Sequence, residues 1–252
     1  MELTLQTFLI VCPLVFLASF VDSIAGGGGL ISLPAYLLAG VPMHSAVATN
    51  KLSSATGTVI STWRLCKNKY VDWILVLPCI VMAVIGSGIG ANISLLVSER
   101  ILKIIFIPVV LVVAFYVMKK KDLDKHSTVT ISRKAQMIWC AASALVVGLY
   151  DGFYGPGTGT FLLLLFTGLG KMDLRTASGN MKVTNLSSNV SALAVFLING
   201  RAILPLGLAA SVFSIAGHYM GSGMVMKNGN KIVRPIILIV ITLLFIKIAF
   251  DM

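Results

Sequence analysis

Two stretches decide the fold: FVDSIAGGGGL at residues 20–30 and LYDGFYGPGTG at residues 149–159. Each places an aspartate just before a glycine-rich break in an apolar run. Asp22 matches Asp151, Gly26 matches Gly155 and Gly28 matches Gly157, each pair 129 residues apart. Farther along, TNKLSS (49–54) matches NMKVTN (180–185), so Lys51 falls on Lys182 at a spacing of 131. That second spacing persists through Asn68 and Asn199, Gly86 and Gly217, Gly90 and Gly221, and Lys103 and Arg234. A duplicated apolar chain broken at matching positions is the pattern of a secondary transporter with its site at the breaks.

Composition supports a membrane class. Hydrophobic residues make up 57% of the 252, only 12% are charged, and the mean hydropathy is +0.95. Soluble domains carry about twice that share of charge, so lipid solvates most of this chain. Apolar stretches recur near 3–21, 73–97, 101–118, 135–150, 203–226 and 232–250, and no polar stretch is long enough for a separate soluble domain. The chain divides into a membrane repeat at 1–118, a basic linker at 119–134 and a second membrane repeat at 135–252. The first residues lack a basic leader and a small-residue cleavage site, so the first apolar segment reads as a retained helix. Cys12, Cys66, Cys79 and Cys140 are isolated and read as packing residues rather than disulfides or metal ligands. The net charge of +11 sits in short loops between apolar segments, which argues against nucleic acid and for orientation in a bilayer.

Each half offers five segments: two flanking the glycine break, a polar-spotted third (45–62 and 176–198), and two long uniform ones. An odd number per half places the halves in opposite orientations. With the N-terminus outside, fourteen of the twenty lysines and arginines fall on the cytoplasmic side, among them Arg64, Lys67, Lys69, Arg133, Lys134, Lys171, Arg175 and Lys227. Parallel halves would move five of these outward, so the positive-inside bias favours inverted repeats. The fold expected is an all-α integral membrane protein of two inverted helical repeats, with glycine-broken helices or re-entrant hairpins near the midplane. Whether the segments beside each break are full spans or re-entrant stays open at this point.

The breaks are the first candidate site. Gly26, Gly27, Gly28 and Gly29 in one half, and Gly155, Pro156, Gly157, Thr158 and Gly159 in the other, are poor choices for a helix interior. In hydrocarbon each backbone group freed by a break costs several kcal/mol unless protein, water or ligand satisfies it. The helices that restart after the breaks carry the positive ends of their dipoles, which suits an anion. The bland alternative is close packing through small residues.

The third segments are the second candidate. Asn50 and Lys51, with Asn180, Lys182 and Asn185, crowd matching stretches. A lysine near a bilayer centre costs roughly 2.5–3.5 kcal/mol on insertion scales, so it should face a partner or a wet cavity. The lysines either neutralise an anionic substrate or pair internally, Lys51 with Asp22 and Lys182 with Asp151, and the two roles are compatible. The Gly86–Gly90 and Gly217–Gly221 pairs read as helix packing. His218, inside the second pair, reads as a satisfied interhelical hydrogen bond. No nucleotide loop, nucleophile elbow or metal-helix motif is present, and no cofactor or metal is expected.

With these residues in view, FVDSIAGGGGLISLP followed by ATNKL, and YDGFYGPGTGTF followed by a lysine-bearing Asn/Ser segment, resemble the two half-signatures of the TauE/SafE family of sulfite and organosulfonate exporters. The resemblance covers essentially the whole chain. It implies a multi-pass permease of the bacterial inner membrane that moves a small sulfur or carboxylate anion without a bound cofactor. An anion channel or, more remotely, an integral-membrane enzyme are the alternatives. Transported compound, direction, coupling ion and oligomeric state, a homodimer included, are not fixed by sequence.

Overall fold

The computed structural model describes residues 3–98, 101 and 131–228. Within them lie eight helices and no strand: α1 (Leu5–Ala25), α2 (Gly29–Leu38), α3 (Met43–Lys67), α4 (Trp73–Leu96), α5 (Arg133–Phe153), α6 (Thr158–Gly168), α7 (Leu174–Ile198) and α8 (Leu204–Asn228). Each half therefore runs long, short, long, long. The expected fifth segments, 102–118 and 232–250, lie outside the described residues, as does most of the linker. Arg133 and Lys134, assigned to that linker by sequence, form the first turn of α5, where Ser132 accepts a hydrogen bond from Ala135 N–H.

Local chemistry sets the helix ends. Side chains of Thr4, Asp72, Ser132 and Asp173 cap the N-termini of α1, α4, α5 and α7. Gly26 ends α1 at φ 76, a left-handed conformation that costs glycine nothing, with its N–H on Asp22 O at 2.8 Å. Gly157 opens α6 at φ 85. The helices α1, α4, α5 and α7 are long and apolar enough to cross a membrane. At ten and eleven residues, α2 and α6 extend only about 15 Å, half the hydrocarbon thickness. Neither can be a full span.

An apolar core is buried, as in a soluble protein, but apolar side chains also face outward and polar ones are held inside. Leu9, Leu77, Val146 and Val212 are exposed, whereas Thr49, Lys51, Ser53, Lys182, Ser188 and Asn189 are buried. The outer surface suits lipid and the inner one holds polar chemistry.

Close helix contacts come from glycine. Gly86 and Gly90 of α4 press on the backbone of α5 at Leu145, Leu149 and Phe153, while Gly148 and Gly152 answer from α5 against Ala83 and Ser87. Gly217 and Gly221 of α8 press in the same way on α1 at Phe16 and Phe20. Any Cβ there would strike main chain, so both pairs serve packing.

These contacts also give helix directions. Rising numbers along α4 meet rising numbers along α5, and α1 with α8 behaves alike. Helix α3 is parallel to α8, because Thr49 meets Ile203, Gly57 meets Ser214 and Arg64 meets Tyr219. Helices α3 and α7 are antiparallel, because Lys51 bonds Asn189 while Thr62 bonds Lys182 O. Helices α4 and α7 are parallel, because Asp72 meets Asn180 and Ser87 meets Ser188, so α1, α3 and α8 point one way and α4, α5 and α7 the other: α1 opposes α5, α3 opposes α7 and α4 opposes α8.

Candidate functional site

The two breaks interlock. Thr160 of α6 donates its N–H to Gly26 O at 3.2 Å and its hydroxyl to Ala25 O at 2.8 Å, closing carbonyls freed where α1 stops. Gly26 and Gly159 are in backbone contact, and a Cβ on Gly29 would lie 2.9 Å from Pro156 Cα. The tips of the broken helices meet face to face, which only glycine permits at Gly26, where φ is positive and no space remains.

The aspartates stand beside these tips. Asp22, in the last turn of α1, accepts from Gly28 N–H at 3.1 Å. Asp151, in the last turn of α5, accepts from the hydroxyls of Thr158 at 2.6 Å and Ser188 at 2.8 Å. Pairing within each half, Lys51 with Asp22 and Lys182 with Asp151, is one of the two roles the sequence offers, and here the structure corrects it. Lys51 Nζ lies 2.7 Å from Asp151 Oδ2, and Lys182 Nζ lies 2.7 Å from Asp22 Oδ2. The pairs are crossed between the halves. The cause is the antiparallel packing of α3 against α7, which delivers each lysine to the other half's break.

Lys51, Lys182 and Asp151 are buried, at 3%, 0% and 1% exposure, whereas Asp22 is partly buried, with 15% of its side chain exposed. Two ammonium groups meet two carboxylates, so no positive charge is left over. Additional donors and acceptors complete the shells: Lys51 donates to Asn189 Oδ1 at 3.0 Å, and Lys182 donates to the main-chain oxygen of Asp22. Removing one partner of such a pair typically costs about 3–5 kcal/mol, because a charge is stranded in low dielectric.

A cleft, about 320 Å³ with the open solvent at its mouth included, lies at the junction, lined by Asp22, Gly26, Gly29, Asn50, Lys51, Ser54, Asp151, Gly155, Gly157, Thr158, Gly159, Asn185 and Asn189. Most of the sequence candidates thus converge on one space. Gly28 faces a second, adjoining cleft that shares Asp22, Gly29, Asn50 and Ser54 and adds Ser19, Ser32 and His218. Pro156 supports the break from behind, accepting from the Tyr150 hydroxyl at 2.7 Å, and Gly27 accepts from Leu30 N–H. Lys182 stands behind Asp22 rather than at the cavity wall. Asn50 Oδ1 is buried without a protein partner.

Asn180 is not brought to the cavity. Its side chain accepts from Asp72 N–H at 2.9 Å, fixing the start of α4. Its repeat equivalent, Thr49, accepts from Ile203 N–H at 3.0 Å at the start of α8. The same anchor recurs in both halves, which explains the residue without a ligand. Sequence reading placed Asn189 only within a polar run, although four residues from Asn185 it shares the same helix face. His218 gave no sign of its approach to Asp22, because that contact spans 196 residues of chain.

The chain is similar to known membrane transporters. The sequence matches the family model described as Sulfite exporter TauE/SafE over residues 11–248. It is 35% identical to the probable membrane transporter protein ORF9 of a Sinorhizobium species, over 94% of this chain and 90% of that protein. Identity to the probable membrane transporter protein YfcA of Escherichia coli strain K12 is 33%, over 93% and 87%. A probable membrane transporter protein of Haemophilus influenzae is 31% identical, over 94% and 92%. No solved structure matches the chain. The chain belongs to the sulfite exporter TauE/SafE family and is a membrane transporter rather than an enzyme.

Proposed function

We propose that this transporter carries a small anion, sulfite, a sulfonate or a related sulfur or carboxylate anion, across the bacterial inner membrane by alternating access. The observation that carries the reading is the crossed pairing of two buried lysines with two aspartates where the broken helices meet. A lysine already neutralised cannot attract an anion at long range. It can exchange partners, taking a substrate oxygen in place of the carboxylate, with the dipole ends of α2 and α6 adding positive potential. Because each pair joins one half to the other, that exchange removes a tie between the halves at the moment the substrate binds. Asn50, Asn185 and Asn189 supply neutral groups that orient the anion's oxygens.

The inverted arrangement belongs to the same proposal. Opposed directions of equivalent helices support it, as does the distribution of charge. Arg64, Lys67, Lys69, Arg133, Lys134, Lys171, Arg175 and Lys227 all lie at the ends of α3 and α8 and the starts of α5 and α7, while Arg201 lies at the other end. The end rich in basic residues is the cytoplasmic one. In a background without native cysteines, Lys69→Cys and Lys171→Cys should label from the cytoplasmic side and Arg201→Cys from outside. Labelling of Lys171 and Arg201 positions from the same side would rule the arrangement out.

The functional experiment is counterflow in proteoliposomes with labelled sulfite, methanesulfonate, thiosulfate and short carboxylates. Saturable exchange of at least one of these anions is expected. A conductance that rises without saturation would make the protein a channel, and absence of any flux would overturn the substrate class.

A further inference from the structure

The two crossed pairs differ in what remains when a lysine leaves. Asp151 keeps two hydroxyl donors, Thr158 and Ser188. Asp22 keeps Gly28 N–H and faces His218, whose Nε2 lies 3.7 Å from Asp22 Oδ2. The imidazole's other nitrogen, Nδ1, is 3.0 Å from Ser61 Oγ. With the Ser61 hydroxyl donated to Thr58 O at 3.1 Å, the His218–Ser61 bond is satisfied by the tautomer that carries its hydrogen on Nδ1, and we take that tautomer as the resting one. That tautomer leaves a bare lone pair on Nε2 pointing at a carboxylate oxygen. Two acceptors face each other across a gap where a proton would join them.

The surroundings of His218 are otherwise simple. Helix α1 contributes Asp22, α7 contributes Lys182, α3 contributes Ser61 above Gly57, and α2 contributes Ser32 to the same cavity. Arg64, one turn beyond Ser61, is turned to the Tyr219 carbonyl and the Ser222 hydroxyl. Asp22 and Lys182 are thus the charges facing the imidazole. In the other half the position equivalent to His218 is Ser87, whose hydroxyl is donated to Ser188 O at 2.6 Å.

Resting on the anion-transport reading, we infer that His218 Nε2 and Asp22 form a proton-binding site that fills when the substrate draws Lys182 away. A hydronium ion on the open side of the cavity gives up one proton and is left as water, an N–H bond forms at Nε2, and the resulting imidazolium replaces the ammonium as the partner of Asp22. The proton leaves when Lys182 returns. No bond to the anion is made or broken. Ser87 has no such capacity and Asp151 keeps its hydroxyl donors, so one proton accompanies each anion rather than two.

Two measurements decide the matter separately. In nanodiscs with 15N-labelled histidine, the signal absent from His218→Gln identifies residue 218. At pH 7 it should be a neutral Nδ1–H imidazole in the native protein and an imidazolium in Lys182→Met. A neutral His218 in Lys182→Met, or a charged one in the native protein, overturns the site. Should Lys182→Met fail to fold, Lys182→Gln serves the same comparison.

The second measurement uses methanesulfonate, whose charge is constant over the working pH range. A gradient of one pH unit should accumulate it about tenfold in native proteoliposomes, the ratio for one proton per anion. With His218→Gln the accumulation should fall to one-to-one whatever the exchange rate. Equal accumulation by both proteins, or none by native protein that still exchanges the anion, overturns the coupling while leaving the transport reading intact. Absence of exchange sinks the transport reading, and the histidine spectra still decide the proton site.

Discussion

Asp22 and Asp151 hold equivalent places in the two halves, yet they are solvated differently. Asp151 is sealed, with Lys51 and two hydroxyls around it; Asp22 is 15% exposed by side chain and meets a lysine, one amide and an imidazole. The two halves share the geometry of the crossing, and the differences at Ser87 versus His218 and at Gly29 versus Thr158 set how each carboxylate survives without its lysine. A symmetric frame can therefore hold one rigid tie and one that exchanges a proton.

The largest expected effect lies on the sealed side. Lys51→Met strands Asp151 and should lower unfolding stability by about 3–5 kcal/mol, read from thermal unfolding in one detergent. Lys182→Met should cost less, because His218 takes up the charge. Its deficit should shrink as pH falls from 8 to 6. The sign follows from the proposed site: a protonated His218 gives the stranded Asp22 a partner, so the compensation is present at low pH and lost as pH rises. Equal losses and equal pH responses would erase the distinction between the halves.

Rescue sharpens the comparison further. Asp151→Asn should restore most of the stability lost in Lys51→Met, whereas Asp22→Asn should not, since that combination orphans two charges instead of removing a pair. Gly26→Ala is next in size. It places a Cβ at positive φ against Gly159 and should cost about 1–3 kcal/mol while separating the helix tips. The smallest effect belongs to Asn180→Ala, about 1 kcal/mol for one anchoring hydrogen bond, with anion affinity unchanged in a binding titration. Thr49→Ala, its counterpart, should behave alike.

Much of this was legible in the sequence. Matching breaks at Gly26 and Gly155, and matching lysines at 51 and 182, point to the convergent site because glycine and buried charge are costly enough in lipid to need a reason. The pairing was not legible. Both aspartates are equivalent along the chain, and only the antiparallel contact of α3 with α7 decides which lysine reaches which. Asn180 misleads for a related cause: its polar neighbours look like a binding face, but its partner is a main-chain N–H 108 residues away. The His218 contact depends on a glycine-mediated approach of α8 to α1 that no local pattern encodes.

The most direct measurement is counterflow by the neutral double variant Lys51→Met with Asp151→Asn, checked first for restored thermal stability. If the crossed pair admits the anion by exchanging partners, this folded protein should lose saturable methanesulfonate exchange by about a hundredfold or more, the loss expected when a buried charge contact of roughly 3 kcal/mol disappears. Exchange at the native rate would show that Lys51 and Asp151 only hold the halves together.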